Sequence, residues 1–386
     1  MHPGFPKSER GKYSADSPGT AASRPTIVYN PSIHASAKSR SLPSAHQATD
    51  IRLGRIVRLL MSHATVVVSG TKVAEEMGTS RSEVWRLIQQ LRGLGVDVAG
   101  HPATGYQLRT VPDLLLPEML APSLKSTIFG AARQIHHYYK IGSTNSEAMR
   151  SASEGAPEGS VFLAEEQLAG RGRGAHTWHS ARSAGIYCSV ILRPAMPPSD
   201  ALIFSLAAGL AVRAAVAEIA PQLRVDLKWP NDVLLGGKKF CGILTEMNAE
   251  ATRVRYLVVG VGINVNQGKF PAELREIATS LRIATGTEWS RVELCVALLK
   301  ALDREYRSLA EDAGARDAIL HRFEESSSSV RGTKVSIEVS PEVSPDENGR
   351  LAGVTEGLDE RGFLRIRTAE GLRTVVSGTV RIVNNL

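Results

Sequence analysis

Cysteine is scarce in this chain: there are three in 386 residues, Cys188, Cys241 and Cys295. They stand far apart with no paired spacing, which excludes a disulfide framework and a cysteine zinc site and fits a reducing, cytoplasmic setting. No apolar run reaches the roughly 18–20 residues of a membrane span, and the N-terminus lacks the apolar core of a signal peptide, so a soluble, unexported protein is expected. A Walker phosphate loop, a Ser-His-Asp arrangement and a His-Glu zinc helix are all missing, and the enzyme classes they mark drop out. Gly260-Val261-Gly262 lacks the third glycine and following helix of a dinucleotide fingerprint. It reads better as a strand lying close behind a ligand. Positive charge, in contrast, is in excess: the net formal charge is +7. That excess suits nucleic acid or an anionic ligand, and its location decides more than its sum.

With 42% hydrophobic residues, the chain is long enough for two or three ordinary globular domains. Residues 1–50 hold six prolines and nine serines without a sustained apolar period, and are predicted to be a disordered tail. From Ile51 the pattern changes. Ile51, Ile56, Leu59 and Leu60 recur at helical spacing up to about Ser62, and a second helix is predicted over 71–77. After Gly78, Ser80 is placed to cap a third helix running to about Leu94, with Glu83 as its capping-box partner. Alternation at 96–98 and 106–108 adds a two-stranded ribbon, so 51–110 reads as a winged helix-turn-helix. This module carries eight Lys or Arg against four Asp or Glu. In its third helix Thr79, Ser80, Arg81, Ser82, Trp85, Arg86 and Gln89 offer hydroxyls for phosphates and longer donors for base edges. The alternative is a three-helix module used for packing or dimerisation. Residues 111–125, with Pro112, Pro117 and Pro122, read as a linker with some helix. Residues 126–325 mix β-rich runs (159–164, 186–192, 225–229, 256–261) with helical stretches (200–219, 290–310) in a mixed α/β section. Alternation resumes over 330–386 in the manner of a small β-barrel.

Chemistry concentrates in five segments of the central section. Residues 170–180 read Gly-Arg-Gly-Arg-Gly-Ala-His-Thr-Trp-His-Ser. Gly170, Gly172 and Gly174 permit close folding around a ligand, Arg171 and Arg173 present planar forks suited to carboxylate or phosphate, and Trp178 is placed as an apolar wall. A solvated basic turn is the plainer alternative. Ser143-Thr144-Asn145, Lys228-Trp229-Pro230-Asn231-Asp232, the run from Lys238 to Leu244, and the run from Gly260 to Asn266 complete the set, with Gln167 just before the loop. Polar clusters set against β-type runs are where active sites are commonly built. Lys239 is placed to neutralise charge developing on a phosphoryl or carboxyl oxygen. Asn231 and Asp232 suit an Asx turn, a nucleotide contact or a water-mediated Mg²⁺ contact. Asn264 and Asn266 are predicted to point the same way by the two-residue period of a strand.

Taken together, Gly-Arg-Gly-Arg, Lys-Trp-Pro-Asn-Asp, Lys-x-x-Gly-Ile-Leu and Gly-x-Gly-Ile-Asn resemble, in order and spacing, the biotin protein ligases of the bifunctional type that also repress the biotin operon. The winged module adds Ser80-Arg81, Gln89, Leu91-Arg92, Gly95 to Val98 and Gly105-Tyr106 to the likeness. The resemblance implies an α+β protein: a winged helix-turn-helix, a ligase domain of the class II aminoacyl-tRNA synthetase/biotin ligase type, and an SH3-like β-barrel. It implies ATP and biotin as substrates with Mg²⁺, and two steps, formation of biotinyl-5′-AMP and transfer of biotin to a lysine of biotin carboxyl carrier protein. Operator DNA and an adenylate-dependent homodimer are implied as partners. Carried over by position, Ser143, Thr144, Asn145, Gln167, Gly170, Arg171, Lys239, Gly242, Gly260 and Gly262 fall on biotin-pocket positions. Arg173, Trp178, Asn231, Lys239 and Asn264 fall on nucleotide or adenylate positions, with Lys239, Arg173 and Arg171 as the catalytic cations. A regulator that only senses biotin would lack these cations, and a lipoate-attaching relative would lack the glycine-arginine loop. One departure stands out: many relatives continue with Gly-Arg where this chain has Ala175-His176. Alanine resists positive φ by about 1 kcal/mol, and histidine is largely neutral at pH 7, so the tail of the loop is expected to close differently.

Overall fold

Capping and turn chemistry organise the N-terminal module. A computed structural model describes residues 45–63, 66–101, 104–110, 112–131, 134–174, 176–338 and 350–383. Most of the predicted tail, residues 1–44, lies outside the described residues, as does Ala175. Helix α1 (Ala45–Ser62) starts ahead of the expected Ile51. No proline or glycine interrupts the chain between Ala45 and Leu53, so the helix extends beyond its apolar stripe. Helix α2 (Gly70–Met77) is capped by Ser69, whose side chain accepts from the Lys72 amide, and ends on left-handed Gly78. Helix α3 (Arg81–Gly93) is capped by Ser80, which accepts from the Glu83 amide at 3.2 Å. The Glu83 carboxylate does not complete the predicted capping box. It pairs with Arg86 at 2.6 Å and Arg52 at 3.4 Å, because charged partners on the next turn and on α1 outcompete a neutral amide. Strands β1 (Val98–His101) and β2 (Gly105–Leu108) form the antiparallel wing. Ile56, Val57, Val73, Val84, Leu87, Ile88 and Leu91 close a core of their own.

The segment read as a linker is built into the protein. Leu114, Leu115 and Leu116 are buried, and helix α4 (Pro117–Leu124) follows with Pro at its start, where a missing amide costs nothing.

The central section is a seven-stranded sheet. Its strands are β3 (Ile135–Tyr138), β4 (Val161–Ala164), β5 (Gly185–Leu192), β6 (Val225–Lys228), β7 (Asp232–Leu235), β8 (Lys238–Ala249) and β9 (Val254–Asn264), in the order β3-β4-β5-β9-β8-β7-β6. Only the β3–β4 pairing is parallel. Helix α5 (Thr144–Ser153) packs on one face, where Ala148 and Ala152 meet Phe162, Tyr187 and Val258. Helices α6 (Leu202–Ile219), α8 (Arg291–Glu311) and α9 (Ala315–Glu325) cover the other, and a short α7 (Leu281–Thr285) precedes α8. Contrary to the sequence expectation, α6 is long and apolar enough by length and composition to cross a membrane. Here it is a core helix: Ile203, Leu206, Ala211, Val212 and Val216 are buried against the sheet and its neighbouring helices.

The C-terminal module is an antiparallel sheet of β10 (Arg331–Glu338), β11 (Arg350–Leu358), β12 (Leu364–Thr368), β13 (Gly371–Val375) and β14 (Thr379–Ile382), ordered β13-β12-β11-β10-β14. Val335, Ile337, Leu364 and Ile366 on its apolar face extend the central core rather than forming a separate one. The buried Trp229 indole ties the modules together by donating to the Gly362 carbonyl at 2.9 Å.

Candidate functional site

A glycine-floored cleft lies across strands β5, β9 and β8. Register sets Gly242 opposite Gly262 and Gly262 opposite Tyr187; the next row is Leu244, Gly260 and Ser189. Side chains of alternate residues share a face, so the two rows form one floor. The glycines serve close approach. A β-carbon on Gly242 would lie 2.8 Å from the Trp178 ring, one on Gly262 2.7 Å from it, and one on Gly260 1.9 Å from Asn145 Oδ1. The cleft encloses about 50 Å³, and its lining includes Ser143, Thr144, Asn145, Gln167, Arg171, Arg173, Trp178, Asn231 and Lys239.

The glycine-arginine loop is a small hairpin. Arg171 and Thr177 pair across it, the Gly172 amide donates to the His176 carbonyl at 2.8 Å, and the Trp178 amide donates to the Gly170 carbonyl at 2.8 Å. Gly174 takes the positive φ of the tip, 65°, and Gly170 lets the two legs meet, since a β-carbon there would be 2.5 Å from the Trp178 carbonyl oxygen. Gly170 thus shapes the loop without lining the cleft. The predicted effect of Ala175 falls outside the described residues, while His176 closes the hairpin through its backbone carbonyl.

The cations are already engaged. The Arg171 guanidinium grips Glu246, at 2.9 Å to Oε1 and 3.1 Å to Oε2. Arg173 donates to the Gly378 carbonyl at 3.1 Å and to Ser377 Oγ, both in the turn before β14. Burial lowers the Arg173 pKa, and nearby Asp232 opposes that change. Lys239 Nζ is 2.5 Å from Asp232 and 5.5 Å from the centre of the Trp178 ring. Asn231 donates to the Ile243 carbonyl at 2.8 Å while its own carbonyl accepts from the Ile243 amide, locking the start of β7 to β8.

Ser143 caps α5, so Thr144 and Asn145 sit buried on its first turn facing the floor. Gln167 Oε1 accepts from the Thr144 amide at 2.8 Å, and its amide donates to Ser180 Oγ at 3.0 Å. Asn264 is placed elsewhere. It is buried at the end of β9, donates to the Thr279 carbonyl at 3.1 Å and accepts from Gln267 at 3.2 Å. Asn266 lies past the strand and pairs with the backbone of Trp289 through both ends of its amide. The expected shared direction of these asparagines fails because β9 stops at Asn264, and with it the two-residue period.

On the winged module, Arg81, Ser82, Trp85 and Arg86 form the exposed face of α3, with Trp85 58% exposed. Ser80 lies at its exposed start, and Thr79 and Gln89 are half-buried beside it. The far end of α3 is tied to the ligase section by Arg182, which donates to the Gly93 carbonyl at 3.1 Å and pairs with Glu166 at 3.2 Å.

Sequence reasoning missed a buried charge cluster. Arg291 is 1% exposed and contacts Glu165 at 2.7 Å, Asp113 at 3.1 Å and the Gly185 carbonyl at 3.2 Å. Glu165 also meets His137 Nε2 at 3.1 Å and the Leu115 amide at 3.0 Å. Burial works against ionising Glu165, but Arg291 and His137 outweigh it and bring the carboxyl down to about 2. The cluster joins the former linker to the ligase core. Glu246 was missed as well, although Gly242, Leu244 and Glu246 share a strand face and that period was a usable signal. Among the described residues no three of His, Cys, Asp and Glu gather as a metal site.

Comparison with known proteins follows the same three-part order. The chain matches a helix-turn-helix domain over residues 52–107, the biotin/lipoate A/B protein ligase family over 139–264 and the biotin protein ligase C-terminal domain over 345–382. The bifunctional ligase/repressor BirA of Bacillus spizizenii is 35% identical over 337 residues, covering 85% of this chain and 97% of its own. A biotin–[acetyl-CoA-carboxylase] ligase of Mycobacterium tuberculosis is 33% identical, covering 70% and 98% respectively. Among solved structures, the biotin protein ligase from Aquifex aeolicus in complex with biotin and ATP aligns with a TM-score of 0.54 at 28% identity, over 65% of this chain and 99% of that one.

Proposed function

The chain belongs to the biotin protein ligases of the bifunctional ligase/repressor type, and on that premise we propose how its residues divide the work. The protein is an ATP-dependent biotin ligase that also acts as a DNA-binding repressor. The observation that carries the assignment of its site is the convergence of Lys239, Arg171, Arg173 and Asn145 on one glycine-floored cleft.

In the first step a biotin carboxylate oxygen attacks the α-phosphorus of ATP, forming the mixed anhydride and expelling pyrophosphate. Two anions must meet, so fixed cations lower the barrier by supplying charge where it develops. Lys239 faces the reacting oxygens, while Arg171 and Arg173 flank them from the hairpin. Mg²⁺ would neutralise phosphate charge when bound, and Asn231 and Asp232 would help hold it through water. Ser143, Thr144, Asn145 and Gln167 present the polar wall to the biotin head group. Without side chains of their own, Gly242, Gly260 and Gly262 leave room for Trp178 and Asn145 to pack down onto the sheet, and Trp178 walls the adenylate from water. In the second step the amine of a carrier-protein lysine attacks the acyl carbon, AMP departs and the amine proton passes to solvent.

Residues 51–110 read operator DNA through the exposed face of α3, most strongly as an adenylate-loaded homodimer on a palindromic site. Three buried free thiols fit a reducing, cytoplasmic setting. The test is direct: purified protein with biotin, ATP and Mg²⁺ labels a lysine of a biotin carboxyl carrier domain. Biotin binding without any labelling would instead mark the chain as a sensor.

A further inference from the structure

The two ends of the glycine-arginine hairpin are joined through the protein by an unbroken polar chain. It starts at Ser180, which accepts from Gln167 Nε2 at 3.0 Å, and Gln167 Oε1 in turn accepts from the Thr144 amide at 2.8 Å. Thr144 Oγ1 lies 2.8 Å from Ser189 Oγ, and that hydroxyl lies 2.6 Å from Asn145 Oδ1. Asn145 Nδ2 donates to Glu246 Oε2 at 3.0 Å. Glu246 completes the circuit by taking the Arg171 fork on both oxygens. Thr144, Asn145 and Ser189 are each at most 5% exposed, so the interior of the chain exchanges little with water.

Glu246 is the carboxylate of this hydrogen-bonded network and the link between the pocket wall and the hairpin. Two geometric facts single it out. It is 21% exposed while Arg171 is 49% exposed, so the anchored partner is the carboxylate and the guanidinium is brought to it. A bidentate carboxylate–guanidinium pair also fixes the plane of the fork, which a single contact leaves free. Resting on the biotin-ligase reading above, we propose that Glu246 is a positioning residue: it aims Arg171 at the cleft and transmits the placement of Asn145 to the hairpin. No bond is made or broken at Glu246 in the reaction.

The test uses the full chain and two variants, E246Q and E246A. Glutamine keeps an acceptor for Asn145 but loses the charged fork; alanine loses both. Limited trypsin digestion reads the hairpin directly, because Arg171 and Arg173 are themselves cleavage sites. Loss of a half-exposed ion pair predicts cleavage there about fivefold faster in E246A, with E246Q between it and the parent protein, and unchanged rates at other sites. Under turnover, biotin KM rises and kcat falls in the same order, because Arg171 serves both the biotin carboxylate and the charge developing beside it, and the R171A/E246A double variant is no worse than R171A alone. Equal acceleration at every tryptic site, an unchanged or lower biotin KM, or additive losses in the double variant would each overturn the proposal. If the parent protein labels no carrier, the ligase reading fails, while the proteolysis arm still decides whether Glu246 holds the hairpin.

Discussion

Gly260→Ala puts the argument for a glycine floor under quantitative strain. The added methyl would sit 1.9 Å from Asn145 Oδ1 and 2.7 Å from its Cγ, closer than any van der Waals contact allows. Gly260 is the middle residue of a three-strand row, held on both sides by antiparallel pairing, so the backbone has little freedom to retreat. Asn145 must move, and it surrenders its contacts with Ser189 Oγ, the Leu244 carbonyl and Glu246. At about 1 kcal/mol per hydrogen bond, three lost bonds amount to roughly 3 kcal/mol, of which water entering the cleft recovers part. The displaced amide turns toward the cleft, so a ligand must push it back and binding bears the residue of that cost. Biotin affinity should therefore fall about 10- to 100-fold, corresponding to roughly 1.4–2.8 kcal/mol. Isothermal titration with biotin measures this, and thermal melting of the same sample should fall by only a few degrees. Gly268→Ala is the matched control, since a β-carbon there meets nothing within 4 Å. Biotin affinity of the Gly260 variant equal to that of the control would refute the close-approach argument.

Other consequences are independent of that one. Lys239→Ala should slow adenylate formation by about 10²–10³ through loss of one fixed cation, with biotin binding much less affected; pyrophosphate exchange and titration together check the split. Glu165→Gln leaves Arg291 without its buried partner and should cost about 3 kcal/mol in chemical denaturation. Because the folded-state pKa of Glu165 is depressed to about 2, its contribution is complete above the ordinary carboxyl range and fades as pH falls from about 4.5 toward 2. The gap between parent and variant should narrow across that window in acid titrations followed by circular dichroism. Arg81→Ala should weaken operator retardation in gel shifts and lower the salt slope by about one. Adenylate loading should strengthen binding of the parent protein, and indifference to biotin and ATP would sink that coupling while leaving ligase activity standing.

Much of the molecule is legible without coordinates because its signals are local. Ser80 capping α3, Gly78 ending α2 and the apolar stripe from Ile56 to Leu60 act within a few residues of one another, so composition and period suffice to draw the winged module. The order of the five polar segments likewise marks the cleft, since each sits at or beside a strand. Even local rules stop at tertiary competition: Glu83 leaves its capping box for Arg86 and Arg52, and the supposed linker disappears into the core once Asp113 and Leu115 find Arg291 and Glu165.

The sequence by itself determined the three-part order, the chemical types gathered at the cleft and the helical face that carries the basic residues. Tertiary structure alone decided which charges meet. Arg171 finds Glu246 75 residues away, Arg173 finds Gly378 205 residues away, and Asn264 turns from the cleft to a carbonyl 15 residues downstream. Such pairings depend on strand order and register, which are set by how the whole apolar pattern is buried at once. A charged side chain carries no record in its own neighbourhood of the partner that this burial will bring to it.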